Sequence, residues 1–350
     1  MKKLVLGFIV GILIVIPKVY SQTQSESIEL AAFLKERGYV IIPMNERATG
    51  HLYIDTEING IPATLFLDTG ATMTILGEER TEKLQSRTNF SNIIVAGIGA
   101  YGLPVRTAVV QELKMADFYV ENFRVLLLSL SYANDSFSRM GFEEVDGIIG
   151  ADILNRYRAI IDYGNLALYL TDRRNRLNWR GRRESAELAA FLVESGYVAI
   201  PINRRPTTGH LYINTEINGI PASLILDTGA GGTVFGIRRA EEFQLGVDAS
   251  NVTIVGVGGY FTAAAATIPG FRMADFYVEN LGVHLLCLYF FNYIFRREGF
   301  AVMDGIIGAD VLKRYRAIID YGNLMLYLKR DWEEFDCAKN IGEAYYRETQ

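Results

Sequence analysis

The tripeptide Asp-Thr-Gly occurs twice in this chain, each time at the end of an apolar run. The two copies are Asp68-Thr69-Gly70 and Asp227-Thr228-Gly229. A lone carboxylate at the end of a buried strand is costly to ionise. Two carboxyls that face each other can share one proton, so the pair holds a base and an acid side by side. Asp68 and Asp227 are therefore the candidate catalytic residues, suited to activating a water and protonating a leaving group.

The residues after each aspartate suit a support role in an active-site loop. Thr69 and Thr228 supply hydroxyls that can hold each loop to the opposite backbone. Gly70 and Gly229 let another chain segment approach closely. The alternative, that each tripeptide is an ordinary strand-end turn, is weakened because both copies of a longer repeat carry it.

The repeat covers most of the chain. Two units of this length predict tandem domains, because solenoid repeats are much shorter, about 20–50 residues. The recurring segments are Glu29–Leu34 with Glu187–Leu192, Gly50–Ile54 with Gly209–Ile213, Met115–Asn122 with Met273–Asn280, Asp146–Asp152 with Asp304–Asp310, and Tyr157–Asn165 with Tyr315–Asn323.

The pattern around these motifs predicts a mostly β unit in each copy. A short amphipathic helix opens each copy, near Ile28–Arg37 and Ser185–Ser195, and a glycine ends it. Asn59-Gly60 is a two-residue hairpin signal between alternating strands. Short helices are predicted at Glu78–Gln85 and Asp152–Tyr157. The β-rich segments of the first copy, with equivalents in the second, are Tyr39–Pro43, His51–Ile58, Pro62–Leu67, Ile93–Val95, Thr107–Leu113, Phe118–Leu128 and Ala159–Leu170.

These patterns divide the chain into five predicted segments. Residues 1–21 form a signal peptide, 25–170 the first lobe, 171–183 an arginine-rich linker, 184–328 the second lobe, and 329–350 a polar C-terminal extension.

A second motif makes a family resemblance specific. Gly147-Ile148-Ile149-Gly150-Ala151-Asp152 follows the first Asp-Thr-Gly-Ala far downstream, and the second copy repeats it at 305–310. Together with the closing Ile-Asp-Tyr-Gly-Asn strands, these motifs resemble the retropepsin-like aspartic proteases, most closely their bacterial aspartyl protease branch. The resemblance covers roughly residues 45–170 and 203–328.

The resemblance implies both a fold and an activity. Each copy would be a small β-barrel lobe, the Ile-Ile-Gly strand would pack beneath the catalytic loop, and the site would form where two lobes meet. The chain would then be an aspartic endopeptidase that cuts peptide or protein substrates without a metal or other cofactor. Departures exist: Thr72 and Gly231 stand where retroviral members carry Asp, and Ala151 and Ala309 where they carry Arg.

The family also has a glycine-containing flap over the substrate, and each copy has a glycine-rich segment at a suitable place. A plain hairpin turn is the alternative interpretation of both segments. The predicted flap residues are Gly97, Gly99, Tyr101, Gly256, Gly258 and Tyr260.

Four further polar residues have mainly structural interpretations. His51 and His210 occupy equivalent positions beside strands and are predicted to be structural. Asp152 and Asp310 are predicted to cap the short helices that follow them.

The bulk composition restricts partners and location. A net charge of −5 gives no basic footprint for nucleic acid. Lys2 and Lys3 precede the apolar run Leu4–Ile16, which is short for a membrane span of about 20 residues and typical of an export signal. We expect export to the periplasm or the extracellular space, with membrane attachment only if this segment is retained. Cys287 and Cys337 are compatible with one disulfide or with a buried thiol.

Three hypotheses for the duplicated site remain open on the sequence alone. The favoured one is an exported protease that works as a monomer with one intramolecular aspartate pair. The second is a non-catalytic peptide-binding module with a duplicated protease fold. The third is a pair of lobes that each complete a site with a lobe of another molecule.

Overall fold

The two copies have the same succession of elements in a computed structural model, which describes residues 24–330 apart from 86, 98, 99, 172–181, 257, 258 and 298. The elements of the first copy are α1 (Gln24–Glu36), β1 (Tyr39–Pro43), β2 (Asn45–Glu46), β3 (Leu52–Ile58), β4 (Ile61–Leu67), β5 (Ile75–Gly77), β6 (Arg87–Gly97), β7 (Ala100–Met115), β8 (Phe118–Leu128), α2 (Ser131–Arg139), β9 (Gly147–Ile149), α3 (Ala151–Arg156), β10 (Ile160–Asp162) and β11 (Ala167–Thr171).

The second copy repeats this order. Its elements are α4 (Arg182–Glu194), β12 (Tyr197–Pro201), β13 (Asn203–Arg204), β14 (Leu211–Ile217), β15 (Ile220–Leu226), β16 (Val234–Gly236), β17 (Gly246–Gly256), β18 (Gly259–Met273), β19 (Phe276–Leu286), α5 (Tyr289–Arg297), β20 (Gly305–Ile307), α6 (Ala309–Arg314), β21 (Ile318–Asp320) and β22 (Met325–Lys329).

Six strands close into a barrel in each copy. In the first copy the order is β3-β4-β9-β5-β8-β7, and β7 returns to β3 through the pairs Glu57↔Lys114 and Ile58↔Leu113. The second copy closes in the same way through β14 and β18. The prediction of a mostly β protein with two tandem β-barrel lobes is confirmed.

The hairpin that leads into the strand before Asp68 follows from local sequence. Asn59 and Gly60 both adopt positive φ, 52° and 78°, as a two-residue turn between twisted strands requires. Ile58 pairs with Ile61 across the turn, and the pairing continues to Tyr53 and Phe66. The predicted Asn-Gly hairpin is confirmed.

A six-stranded sheet joins the two lobes, in the order β1-β11-β10-β21-β22-β12. At its centre β10 and β21 pair antiparallel, with Ile161 opposite Ile319 and each aspartate opposite an isoleucine of the other copy. On this sheet α1 and α4 also meet, since the rings of Phe33 and Phe191 stack at 5.3 Å. The lobes therefore share backbone hydrogen bonds and a buried apolar layer.

Four elements differ from the sequence prediction. Helices α2 and α5 were not predicted, because their sequences are rich in Ser, Asn, Tyr and Phe rather than in strong helix formers. The predicted strand Ala159–Leu170 is two strands, β10 and β11, separated by the tight turn at 163–166. The predicted helix Glu78–Gln85 is only a single 3₁₀ turn, Glu78–Arg80, followed by further turns.

Several predicted segments lie outside the described residues. These are the signal peptide at 1–21, nearly all of the linker, and the C-terminal extension from residue 331 onward. Cys337 belongs to that last segment, so its pairing with Cys287 stays a prediction. The alternative of a buried thiol is wrong for Cys287, which is exposed. Within the described part of the chain, no helix is long and apolar enough to cross a membrane.

Candidate active site

The two Asp-Thr-Gly loops begin where buried strands β4 and β15 end. Each strand runs parallel to the Ile-Ile-Gly strand of its own lobe, so that Leu67 lies beside Ile149 and Leu226 beside Ile307. This pairing continues into the loop, because the Asp68 N–H donates to Ile149 O at 3.1 Å. The second motif therefore fixes where the first one leaves the barrel.

The carboxyls of Asp68 and Asp227 are brought together between the lobes. A Cβ placed on Gly70 would lie 2.5 Å from Cγ of Asp227, and one placed on Gly229 would lie 2.5 Å from Cγ of Asp68. Each loop glycine thus packs directly on the carboxyl of the other lobe. Only a residue without a side chain fits there.

The two oxygens of each aspartate have different surroundings. Oδ1 of Asp68 accepts the N–H groups of Gly70 and Ala71 at 2.7 and 3.0 Å, and Oδ1 of Asp227 accepts the Gly229 N–H at 2.9 Å. Both Oδ2 atoms are buried and receive no hydrogen bond from a donor group of the described residues. A proton shared between the carboxyls would satisfy them.

The pKa values of the pair support such sharing. Burial raises the pKa of both carboxyls, which are at most 1% exposed. The charge of Asp227 and a hydrogen bond with it raise the pKa of Asp68 further, to well above the ordinary range. That hydrogen bond and the N–H groups of the loops oppose the rise at Asp227, whose pKa is about 6. One proton therefore stays on the pair at mildly acidic pH.

The two loop threonines hold the lobes together directly below the aspartates. Thr69 Oγ1 donates to Leu226 O at 2.7 Å and accepts the Thr228 N–H at 3.0 Å. Thr228 Oγ1 donates to Leu67 O at 2.7 Å and accepts the Thr69 N–H at 3.1 Å. These four buried hydrogen bonds fix one loop relative to the other.

A second pair of threonines, which the sequence interpretation missed, ties each loop to the following helix. Thr74 Oγ1 donates to Asp152 Oδ1 at 2.8 Å and accepts the Gly150 N–H at 3.2 Å, and Thr233 repeats this with Asp310. Both threonines are fully buried. The signal that could have revealed them is their recurrence in both copies.

The predicted capping role of Asp152 and Asp310 needs correction. The N-cap residue of α3 is Gly150, and Asp152 lies one residue inside the helix. Its Oδ1 accepts the Ile153 N–H at 2.9 Å and also the Thr74 N–H at 2.9 Å, so the carboxylate joins the segment after the Asp-Thr-Gly loop to the helix. Asp310 does the same in the second lobe.

Both predicted structural histidines reach the Asp-Thr-Gly loop of the opposite lobe. His51 Nε2 lies 3.0 Å from Gly229 O, and His210 Nε2 lies 2.9 Å from Gly70 O. Burial and, to a smaller extent, the charge of the neighbouring Arg47 or Arg205 lower the pKa of each ring to about 4, although the hydrogen bond to the loop carbonyl opposes this shift.

Two buried arginines beside these histidines were also missed. The Arg47 guanidinium lies 4.2 Å from the ring centroid of Phe137, and Nη2 donates to Glu143 O at 2.6 Å. Arg205 is its equivalent against Phe295 and Ala301 O.

The predicted flap residues that the structure describes lie at or next to the tips of two hairpins. Gly97 ends β6 and Tyr101 lies in β7, while Gly99 falls outside the described residues. In the second copy Gly256 pairs with Gly259 at the tip, and Gly258 is also outside the described part.

Tyr260, next to the second tip, is in contact with the other lobe. Its ring meets that of Tyr132 on α2 edge to face, with centroids 6.3 Å apart. Ser136 Oγ lies 3.5 Å from its hydroxyl, and the Arg139 guanidinium is 5.7 Å from its ring. The hairpin of the second lobe therefore rests on a helix of the first.

Comparison with known proteins gives the class. A family model described as aspartyl protease matches residues 54–153 and 213–311, more than half of the chain. The two matched regions contain the two Asp-Thr-Gly loops and the two Ile-Ile-Gly strands. This chain belongs to the aspartyl protease family and carries two tandem copies of its retropepsin-like domain.

Individual relatives are more distant. DNA damage-inducible protein 1 of Candida glabrata is 33% identical over 114 residues, which cover 32% of this chain and 23% of that protein. A retropepsin-like aspartic protease from Rickettsia conorii is 20% identical, with a TM-score of 0.27, over 38% of this chain and 90% of that one. Basic 7S globulin from soybean is 9% identical, with a TM-score of 0.44, over 83% of this chain and 95% of that one.

Proposed function

We propose that this protein is an aspartic endopeptidase in which Asp68 and Asp227 form one catalytic dyad within a single chain. The observation that carries the proposal is the mutual packing of each carboxyl on the loop glycine of the other lobe. Family membership supports peptide bonds as the bonds cut. The buried threonine hydrogen bonds support a dyad geometry that is held before substrate arrives.

The reaction would need no group besides the two carboxyls and a water. The ionised carboxyl takes a proton from the water, whose oxygen attacks the peptide carbonyl carbon. The protonated carboxyl gives its proton to the carbonyl oxygen, which forms a tetrahedral diol. Transfer of a proton to the amide nitrogen then breaks the C–N bond and releases an acid and an amine.

Apolar residues near the two aspartates support a proposal for the substrate class. Phe137 of α2 packs on Phe66, two residues before Asp68, with ring centroids 5.0 Å apart, and α2 also carries the contact with Tyr260. The helix thus lies between the catalytic strand of one lobe and the flap hairpin of the other. We propose that extended peptides with apolar side chains beside the cut bond bind there. A preference of the enzyme for Lys, Arg, Asp or Glu at those positions in a peptide library would contradict this.

The proposal is tested by replacing each aspartate by asparagine. Asp68→Asn and Asp227→Asn should each lower kcat by about four orders of magnitude or more without unfolding the chain, and the double variant should lose little more. Cleavage of a peptide library across pH is the measurement. Substantial activity of either single variant would refute the shared-proton mechanism. A wild-type protein that binds peptides but cuts none would instead support a binding module.

We also propose that the protein is exported through its N-terminal segment. The two lysines and the apolar run up to Ile16 support this. Intact-mass measurement of protein recovered outside the cytoplasm should show a chain that begins near Gln22. Recovery of the full chain from Met1 in the membrane fraction would indicate an anchor.

A further inference from the structure

We propose that His51 and His210 are positioning residues for the dyad: each orients, from one lobe, the peptide group that hydrogen-bonds the aspartate of the other lobe. This inference rests on the proposed function, since it concerns the same two carboxyls. It assigns a role to two rings that are not in contact with the reacting atoms.

The hydrogen bonds that the two histidines make between the lobes have a defined direction. A carbonyl oxygen only accepts, so Nε2 of each ring must carry the hydrogen that it donates to Gly229 O or Gly70 O. In the first lobe this tautomer is reinforced, because Nδ1 of His51 lies 2.7 Å from Thr49 Oγ1 and is left to accept the hydroxyl proton. At 2% and 0% exposure, both rings are shielded from competing water.

Each carbonyl that accepts from a histidine is part of a peptide group that also contains the N–H of the next residue. The Gly70 carbonyl and the Ala71 N–H belong to one planar trans peptide, so an oxygen held on one side fixes the N–H on the other. That N–H donates to Asp68 Oδ1 at 3.0 Å. In the other loop, the Ala230 N–H donates to Asp227 O at 3.3 Å, and it lies near enough to the Asp227 carboxyl to lower its pKa.

Each histidine therefore acts on the aspartate of the opposite lobe through one loop peptide group, and between His210 and Asp68 that peptide group links two hydrogen bonds in series. Polarising the carbonyl strengthens the N–H as a donor, because linked hydrogen bonds in a buried site reinforce one another. The loss of the ring donor would weaken the hydrogen bond to the carboxylate and raise the pKa of that aspartate. It would also let the loop peptide rotate.

The histidines and the aspartates have equivalent charged and titratable neighbours in the two lobes. Arg47 and Arg205 lie beside the rings and disfavour their protonation. The aspartates face each other, and buried Tyr163 and Tyr321 lie near them, with pKa values raised well above normal by burial and by nearby carboxylates. Glu46 and Asp310 also act on Tyr163. None of these groups is altered by the substitutions below.

The test compares a ring without a donor with a side chain that keeps one. His51→Phe keeps an aromatic ring beside Phe66 and removes Nε2–H, whereas His51→Gln can still donate from its amide. In the uniformly labelled full chain, the amide proton resonance of Ala230 should move upfield in His51→Phe and return toward the wild-type position in His51→Gln. The carboxyl ¹³C titration of the dyad should shift to higher pH in His51→Phe alone.

The crossed geometry supplies a matched control. His210→Phe should move the Ala71 resonance and leave Ala230 nearly unmoved, while His51→Phe should do the reverse. Equal movement of both, or of neither, in a folded variant would overturn the proposal. If the Phe variants do not fold, Thr49→Val replaces them as the test. It should move the Ala230 amide proton resonance upfield by less than the shift expected for His51→Phe and leave the Ala71 resonance unmoved. An unmoved Ala230 resonance would count against the proposal.

Activity provides a separate measurement. His51→Phe should lower kcat about 10- to 100-fold with little change in KM, and should shift the acid limb of kcat/KM to higher pH. The resonance shifts do not depend on turnover. A wild type that cuts no peptide would therefore refute the proposed function and leave the positioning role testable.

Discussion

Ionisation of a buried aspartate lowers the free energy of unfolding of this protein at neutral pH. A carboxyl whose pKa is raised on folding binds its proton more tightly in the folded state than in the unfolded chain. Its contribution to stability is complete below the ordinary pKa and is lost as pH rises through the folded pKa. For Asp227 this window runs from 3.8 to about 6.

Replacing that carboxyl should therefore stabilise the protein. We expect Asp227→Asn to raise the free energy of unfolding at pH 7 by about 1–3 kcal/mol, since each pKa unit corresponds to about 1.4 kcal/mol. The gain should vanish near pH 4. Thermal unfolding at both pH values measures it, with the exposed Asp117→Asn as the control. An equal gain at pH 4 would show that the effect is not ionisation of the carboxyl.

The threonine hydroxyls between the lobes can be tested by a substitution that removes the hydroxyl and keeps the shape of the side chain. Thr69→Val keeps the side-chain shape but leaves Leu226 O and the Thr228 N–H buried without their partner. We expect a loss of about 1–3 kcal/mol in unfolding free energy and a large fall in kcat. Thr69→Ser keeps the hydroxyl and should retain most of both. A Ser variant as damaged as the Val variant would assign the effect to the methyl group instead.

Among individual residues, the candidate catalytic ones could be predicted from the sequence, whereas the buried residues that support them could not. The Asp-Thr-Gly triplets stand out because a duplicated chain repeats them. Arg47 was invisible as a buried residue, because an arginine is usually at the surface. Its burial depends on rings from β3, β4 and α2 that come together only in the fold.

Helices α2 and α5 lie in segments for which the sequence pattern predicts no helix. The sequence of α2 has weak helix propensity, so tertiary contacts must stabilise it. Asn134 supplies two of them, donating to Val145 O at 3.1 Å and accepting the Val145 N–H at 2.9 Å. Asn292 does the same for α5 with Met303. A side chain that pairs with a distant backbone leaves no periodic signal in the sequence.

The contact between α2 and the second hairpin should be measurable as a coupling. Edge-to-face aromatic pairs contribute about 0.5–1.5 kcal/mol. A double-mutant cycle of Tyr132→Ala and Tyr260→Ala should give a coupling of that size in unfolding free energy. The cycle of Tyr260→Ala with Tyr293→Ala, an exposed tyrosine on α5, should give a value near zero. Equal couplings in the two cycles would contradict a specific contact.

The whole molecule is held by a sheet that neither lobe could form alone. Strands β10 and β21 have the same sequence, Ile-Ile-Asp, and pair antiparallel about a local two-fold axis. Sequence reasoning predicted two lobes but not this sheet. The physical reason is that identical strands pair equally well within a chain and between chains, so sequence alone does not select the partner. The same ambiguity applies to the dyad.

Mixing the two inactive variants resolves this ambiguity. If lobes of two chains paired with each other, a mixed dimer of Asp68→Asn with Asp227→Asn would combine Asp68 of one chain with Asp227 of the other. If the lobes of one chain pair, every molecule keeps one asparagine and no intact dyad exists. We expect the second result: joint unfolding and refolding of the mixture should restore no peptide cleavage. Wild-type protein refolded with an excess of either variant is the control for recovery, and sedimentation should show monomers. Cleavage by the mixture above that of either variant alone would place the dyad between chains, and the shared sheet would then also have to form between them.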